Sequence, residues 1–290
     1  MNSHPPAASN ILRSADALRA ALRAWRTEGR TIGFVPTMGA LHLGHLSLVR
    51  AAKTRCDRIL ASIFVNPKQF APAEDFDRYP RNETGDAGLL AGAGCDLIYA
   101  PGLDQMYPPG FATSVAVNGL AEPLEGEMRP HFFGGVATVV AKLLIQAAPD
   151  AAFFGEKDYQ QLLVIKRLAR DLDLPGEIIG CPTVREPDGL AMSSRNAYLT
   201  PNERRAAPQL NFVLREAVSA LKAGAPVAQV EHDARARAAA AGFTRIDYIA
   251  VRDAETLAEI EGAIDNSDRP ARILAAVWLG QTRLIDNLPV

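Results

Sequence analysis

Cysteine is scarce in this chain: Cys56, Cys95 and Cys181 are scattered, odd in number and form no C-x-x-C pair. That argues against a disulfide framework and suits a reducing compartment, so a cytoplasmic protein is expected. No apolar run approaches the length of a membrane span. The N-terminus, residues 1–10, carries Pro5-Pro6 and small residues but no charged-then-apolar signal pattern, and is expected to be a loose tail. The formal charge is only -2, which leaves no basic field for nucleic acid and no polybasic patch for a membrane. There is no G-x-x-x-x-G-K-[ST], no G-x-G-x-x-G and no H-E-x-x-H, so P-loop, dinucleotide-binding and zinc-protease readings find no support. At 290 residues the chain has room for two domains or one large one.

What is present centres on Pro36-Thr37-Met38-Gly39-Ala40-Leu41-His42-Leu43-Gly44-His45. It joins an apolar run at 31–35, read as a buried strand, to a helix at 46–53. A helix N-terminus offers unpaired N–H groups and the positive end of the macrodipole, so it attracts phosphate. Gly39 and Gly44 permit close approach of a ligand to the backbone. His42 and His45, three apart, are placed to point to one side, where two imidazoles would stabilise charge building on phosphorus oxygens. By itself the pattern also fits a polar cap, or half of a metal site.

Taken in order, the chain alternates strands and helices. Ser14 caps a helix to Glu28 with Gly29 as its stop, and further strands are expected at 58–65, 95–99 and 151–154. A weak helix at 82–93 and an apolar one at 136–147 fall between them. These β-α-β units imply an α/β fold, a Rossmann-like parallel sheet with helices on both faces. Ligands of such sheets lie beyond the carboxyl ends of the strands. His42, His45, Asn66 and Gln69 all follow strand ends, as does the cluster Gly155-Glu156-Lys157-Asp158, ahead of Gln160-Gln161 on the next helix. Asn66-Pro67 alone would pass for a plain turn, and the charges at 156–158 for ordinary helix-end charges. The Pro- and Gly-bearing segment 101–135 has the length of a binding loop or lid.

Strand-like stretches at 177–179 and 182–184 lead to Leu190-Ala191-Met192-Ser193-Ser194-Arg195-Asn196. Hydroxyls and an arginine suit the grip of a triphosphate. A capping segment is the plainer reading, but Thr200-Pro201-Asn202-Glu203 already supplies a cap. Composition then changes, with helices to about Lys222 and at 226–241, and strand-like runs at 246–251, 272–279 and 282–286. A boundary is placed near 185–188: a catalytic domain over 1–186, and a smaller C-terminal α+β domain over 187–290 that helps close the active site.

Four motifs therefore stand in one order: Pro-Thr-Met-Gly-Ala-Leu-His-Leu-Gly-His, Phe-Val-Asn-Pro-Lys-Gln-Phe, Phe-Gly-Glu-Lys-Asp-Tyr-Gln-Gln-Leu and Leu-Ala-Met-Ser-Ser-Arg-Asn. Together they resemble the pantoate–β-alanine ligase family, within the nucleotidylyltransferases whose HIGH and KMSKS signatures the first and last are similar to. No lysine precedes Met192, a variant that the family shares. Asp286-Asn287 also look like the family. The resemblance implies condensation of (R)-pantoate with β-alanine through a pantoyl adenylate, with ATP as substrate and Mg2+ as its metal. It implies His45 as proton donor, with His42 and Lys157 beside it in catalysis. It implies an ATP site lined by Met38, Gly39, Ala40, Leu41, His42, Leu43, Gly44, His45, Gly155, Glu156, Lys157, Asp158, Val184, Met192, Ser193, Ser194 and Arg195. Gln69 and Gln161 resemble the pantoate-binding glutamines, with Gln69 also near β-alanine and Asn66 assisting. Asp86 matches a position near magnesium, and a homodimer is implied.

Two rivals are a nucleotidylyltransferase making a dinucleotide and a nucleotide-binding sensor that has kept the fold. The two glutamines and the Met-Ser-Ser-Arg variant speak against the first. The second predicts a lost histidine or lysine, and neither is lost.

Overall fold

The computed structural model of the chain describes residues 10–71, 74–264 and 270–290. Apart from Asn10, the expected N-terminal tail lies outside the described residues. The chain divides into two compact units: the first runs to Glu156 and includes Gln161–Pro182, and the second comprises Lys157–Gln160 with Thr183–Val290.

The first unit is built on a parallel sheet. Its elements, in chain order, are β1 (Ile11–Leu12), α1 (Ala15–Thr27), β2 (Ile32–Thr37), α2 (Leu43–Lys53), β3 (Arg58–Ile63), α3 (Glu83–Ala93), β4 (Leu97–Tyr99), α4 (Leu103–Met106), α5 (Glu125–Met128), α6 (Phe132–Ala147), β5 (Ala151–Gly155), α7 (Tyr159–Asp171) and β6 (Glu177–Cys181). The strand order is β1-β4-β3-β2-β5-β6, and every pairing is parallel. A strand's side chains alternate between faces. Ile32, Phe34, Leu60, Ala152 and Phe154 therefore enter one core with residues of α1, α6 and α7. Their neighbours Val35, Ile59, Ala61, Ala151 and Phe153 enter the opposite core with α2 and α3. Burial on both faces is why the strands read as continuous apolar runs.

The local signals for helix ends hold. Ser14 accepts a hydrogen bond from the Ala17 N–H at 3.2 Å, and Thr200 with Glu203 forms a reciprocal capping box. Several expectations need adjustment. The strand expected at 58–65 stops at Ile63, and residues 182–184 are not strand: beyond Cys181 the pairing is a single bridge between Arg185 and Ala191. The segment 101–135 contains two short helices, and α6 starts at Phe132 rather than Val136. β1 is too short to carry a periodic signal, and pairing with β4 defines it.

The second unit holds α8 (Pro201–Ala206), α9 (Gln209–Lys222), α10 (Val227–Ala240), β7 (Arg245–Asp253), β8 (Ala271–Leu279) and β9 (Thr282–Pro289). The three strands form an antiparallel sheet in the order β7-β8-β9, and one core joins Ile249, Val251, Ile273, Ala275 and Val277 to the apolar faces of α9 and α10.

Gly135 shows how tightly the first unit is fitted. A Cβ built there would lie 2.1 Å from the Lys68 carbonyl oxygen, in the 3-10 turn Pro67–Gln69. Alanine favours a helix interior by about 1 kcal/mol over glycine. At this position the clash with backbone outweighs that gain. Gly135→Ala should destabilise the protein by about 1–3 kcal/mol, the usual cost of overpacking. A urea midpoint at or above wild type would contradict this packing.

Candidate active site

β2 pairs with β3 on one side and β5 on the other, so the chain reverses direction across the sheet at the β2–β5 step. Ligands of open α/β sheets bind outside the carboxyl ends of the strands at such a step. Two of the expected segments start there: residues 38–45 after β2, and Gly155-Glu156 at the end of β5.

The first segment has a definite geometry. His42 is the N-cap of α2, and its Nδ1 accepts the Gly44 N–H at 3.2 Å. His45 Nδ1 accepts the His42 N–H at 3.3 Å, closing a reciprocal capping box made of imidazoles. The ring centroids are 4.2 Å apart. A neutral imidazole whose Nδ1 accepts carries its proton on Nε2. The cap thus makes both rings Nε2–H donors, and it brings His42 and His45 together as expected.

Gly39 and Ala40 both lie in the left-handed region, with φ of 81° and 51°. The group that comes close to Gly39 is Asp86: a Cβ there would sit 2.9 Å from Asp86 Oδ2. Asp86 is buried on the first turn of α3, and its carboxylate accepts the N–H groups of Ala40 at 2.9 Å and Leu41 at 2.8 Å. Both carboxylate oxygens of the residue expected near magnesium are therefore on backbone amides. Among the described residues no group of three or more His, Cys, Asp or Glu is placed to hold a metal ion.

Gln69 is buried at the end of the 3-10 turn after β3. Its side-chain oxygen accepts from Asn66 Nδ2 at 2.8 Å, and Asn66 is held in turn. Asn66 Nδ2 also donates to the Gly135 carbonyl at 3.1 Å, while Asn66 Oδ1 accepts from the Lys68 N–H at 3.3 Å and the Tyr107 hydroxyl at 2.7 Å. The two backbone partners dictate which way the Asn66 amide faces, and Asn66 dictates the Gln69 amide. Gln69 is left with its NH2 as the group to offer a ligand, a donor suited to a carboxylate or hydroxyl oxygen. Burial pushes the Tyr107 phenol up to about 12 against the opposing Asn66 hydrogen bond, so it stays a donor at neutral pH. Arg129 holds the same turn by donating to the Gln69 carbonyl at 2.9 Å, with Glu74 and Glu125 on its other nitrogens. Gln161 is half-buried on the first turns of α7. Sequence reading missed Tyr107, and Arg129 stood out only as part of a loop-rich stretch.

The remaining residues belong to the second unit. Lys157 is mostly buried, with its Nζ 3.6 Å from Asp158 Oδ1. The Met192 N–H donates to the Val184 carbonyl at 3.0 Å, beside the Arg185–Ala191 bridge, so the loop between them closes as a small hairpin. Ser193, Ser194 and Arg195 follow, half-buried. Ser193 Oγ also accepts the Arg195 N–H at 3.3 Å and caps the 3-10 turn Ser194–Tyr198, so this stretch performs local capping as well. β9 holds both segments. Asn287 Nδ2 donates to the Lys157 carbonyl at 2.9 Å, and Arg272 fixes that amide through Asn287 Oδ1 at 2.7 Å. Asp286 receives both Arg185 guanidinium nitrogens, at 2.7 and 2.8 Å. The sequence marked Asp286-Asn287 only through the resemblance; the Arg185 and Lys157 that they hold are 101 and 130 residues away, beyond the reach of any local pattern.

Burial raises the thiol pKa of Cys56, Cys95 and Cys181, Cys95 to about 12, so none is a ready nucleophile.

The family model described as pantoate-beta-alanine ligase matches residues 10–289. The chain belongs to the pantoate–β-alanine ligase family. It is 55% identical over 280 residues to the pantothenate synthetase of Caulobacter vibrioides, covering 97% of this chain and 98% of that one. It is 57% identical to that of Paramagnetospirillum magneticum, covering 98% of each. The crystal structure of pantothenate synthetase from Thermus thermophilus superposes with a TM-score of 0.89 at 46% identity, covering 96% of this chain and 98% of that one. The Francisella tularensis pantoate-beta-alanine ligase, in complex with beta-gamma ATP and beta-alanine, gives 0.79 at 34% identity and covers 96% and 97%. The family's architecture is thus present: a six-stranded parallel sheet with helices, and a small antiparallel sheet toward the C-terminus.

The imidazole cap has a direct spectroscopic consequence. Nitrogen NMR of the neutral protein should find His42 and His45 as Nε2–H tautomers. An Nδ1–H signature at either ring would contradict the capping geometry.

Proposed function

We infer that the chain is an ATP-dependent pantoate–β-alanine ligase, forming pantothenate, AMP and diphosphate. The observation that carries the reading is the pair of imidazoles capping α2 at the sheet's reversal point, each with Nδ1 on backbone and Nε2–H as its donor. In the first step a pantoate carboxylate oxygen attacks the α-phosphorus of ATP. A new P–O bond forms, the bond to the β-phosphate oxygen breaks, and diphosphate leaves. In the second step the β-alanine amine attacks the activated carbonyl, the C–O bond to AMP breaks, and the amine gives up a proton. No enzyme nucleophile is needed, in keeping with the suppressed thiols.

The assigned residues meet the physical demands of these steps. Charge grows on the α-phosphate and leaving oxygens, so His42 and His45 donate there, with His45 the proton donor. Lys157, Ser193, Ser194 and Arg195 are further donors suited to a triphosphate. Residues 38–45, Gly155–Asp158 and Val184 line the nucleotide. Gln69, with its amide polarity dictated through Asn66, donates to pantoate, and Gln161 does the same. An uncharged amide orients the acid and leaves its carboxylate nucleophilic. Among the described residues no protein cage is assembled for a metal ion, so magnesium would come with the nucleotide and would neutralise triphosphate charge. The protein works as a homodimer in the cytoplasm. Among the described residues no helix is long and apolar enough to cross a membrane.

Diphosphate release from MgATP tests the reading, measured with pantoate present or omitted and with β-alanine present or omitted. Diphosphate should require pantoate, and pantothenate with AMP should appear only when β-alanine is added. Release independent of pantoate would return the chain to the broader nucleotidylyltransferases. His45→Ala should fold and lose on the order of a hundredfold or more in turnover. Turnover near wild type in that variant would remove His45 from the chemistry.

A further inference from the structure

The turn between β2 and α2 is strained. Ala40 takes a φ of 51° without being glycine, a conformation that L residues rarely adopt. Such strain persists only where surrounding structure holds it. Successive N–H groups in a left-handed turn converge on one side and form a concavity that attracts anions. In an ATP site the expected anion is phosphate. Here the converging amides of Ala40 and Leu41 are already taken by the two oxygens of Asp86, a residue only 4% exposed.

We propose that Asp86 is a positioning residue: an internal anion that clamps the strained Gly39–Leu41 turn so that His42 enters α2 as a cap with both imidazole Nε2–H groups presented. In this role the carboxylate is a backbone acceptor rather than a magnesium ligand. The assignment rests on reading His42 and His45 as the phosphate donors. The chemistry of the clamp is specific. A carboxylate accepts at both oxygens, whereas an amide at the same position accepts at one and turns an NH2 toward the other N–H. Gly39 completes the arrangement, because any side chain there would press on Asp86 Oδ2.

Asp86→Asn tests the clamp with an isosteric change. Turnover at saturating substrates should fall about ten- to a hundredfold, the scale of a small misplacement of catalytic groups. The magnesium concentration for half-maximal activity should stay within about twofold of wild type, because a merely displaced donor leaves the metal's own ligands untouched. Imidazole NMR, which needs no turnover, should show His42 and His45 losing their uniform Nε2–H state. Gly39→Ala supplies a second route to the same loss while keeping the carboxylate and α3 intact, and should reproduce the NMR change if Asp86→Asn fails to fold. A rise in the magnesium requirement, with activity restored at high magnesium, would make Asp86 a metal ligand and overturn the proposal. So would wild-type turnover together with unchanged imidazole signals. If the wild-type protein forms no pantothenate, the functional reading fails, and the imidazole signals of the two variants still decide whether Asp86 holds the turn.

Discussion

A helix must find acceptors for its first amides, and α2 finds them in imidazole nitrogens. That requirement governs the site. Because Nδ1 of both histidines is occupied by backbone N–H groups, the rings cannot rotate freely or exchange tautomers without uncapping the helix. The protein uses a local structural need to prepare two donors of known polarity. The same bonds would be ordinary capping in a surface helix. Their position beyond β2, next to the reversal of the sheet, is the place where ligands of open α/β sheets bind.

The arrangement recurs in other chemical terms. Gln69 is an amide whose two ends are distinguishable only because Asn66 is pinned by one backbone donor and one backbone acceptor. Asn287 is another, oriented by Arg272 so that its NH2 meets the Lys157 carbonyl. In each case a group with ambiguous polarity is made unambiguous by a neighbour of fixed polarity. Buried polar chains of this kind are costly when incomplete and rigid when complete. Rigid placement of donors is what stabilisation of a developing phosphate charge requires.

Much of the first unit was readable from the chain. The apolar runs of β2, β3 and β5 are long enough and bounded well enough to be recognised, and burial on both faces is what makes them continuous. The caps at Ser14 and Thr200 act within three residues, so their signals are local. The short helices in 101–135 and the end of β3 were less legible, since tertiary contacts rather than periodicity set them. Asp86 was tied to magnesium only through the family resemblance, with no local pattern of its own to mark it. Its distances to Ala40 and Leu41 add two backbone amides to the groups that surround it.

The sequence by itself determined most of the segments that form strands and helices, which strand ends carry polar motifs, and which family the chain resembles. Those properties depend on residue order over a few to a dozen positions. Tertiary structure alone decided the polarity of the Gln69 amide, the backbone partners of Asp86, and the hold of Asp286 and Asn287 on segments distant in sequence. Each of these is a hydrogen bond whose direction is set by a backbone group or by a residue from another element. No one-dimensional pattern encodes that direction.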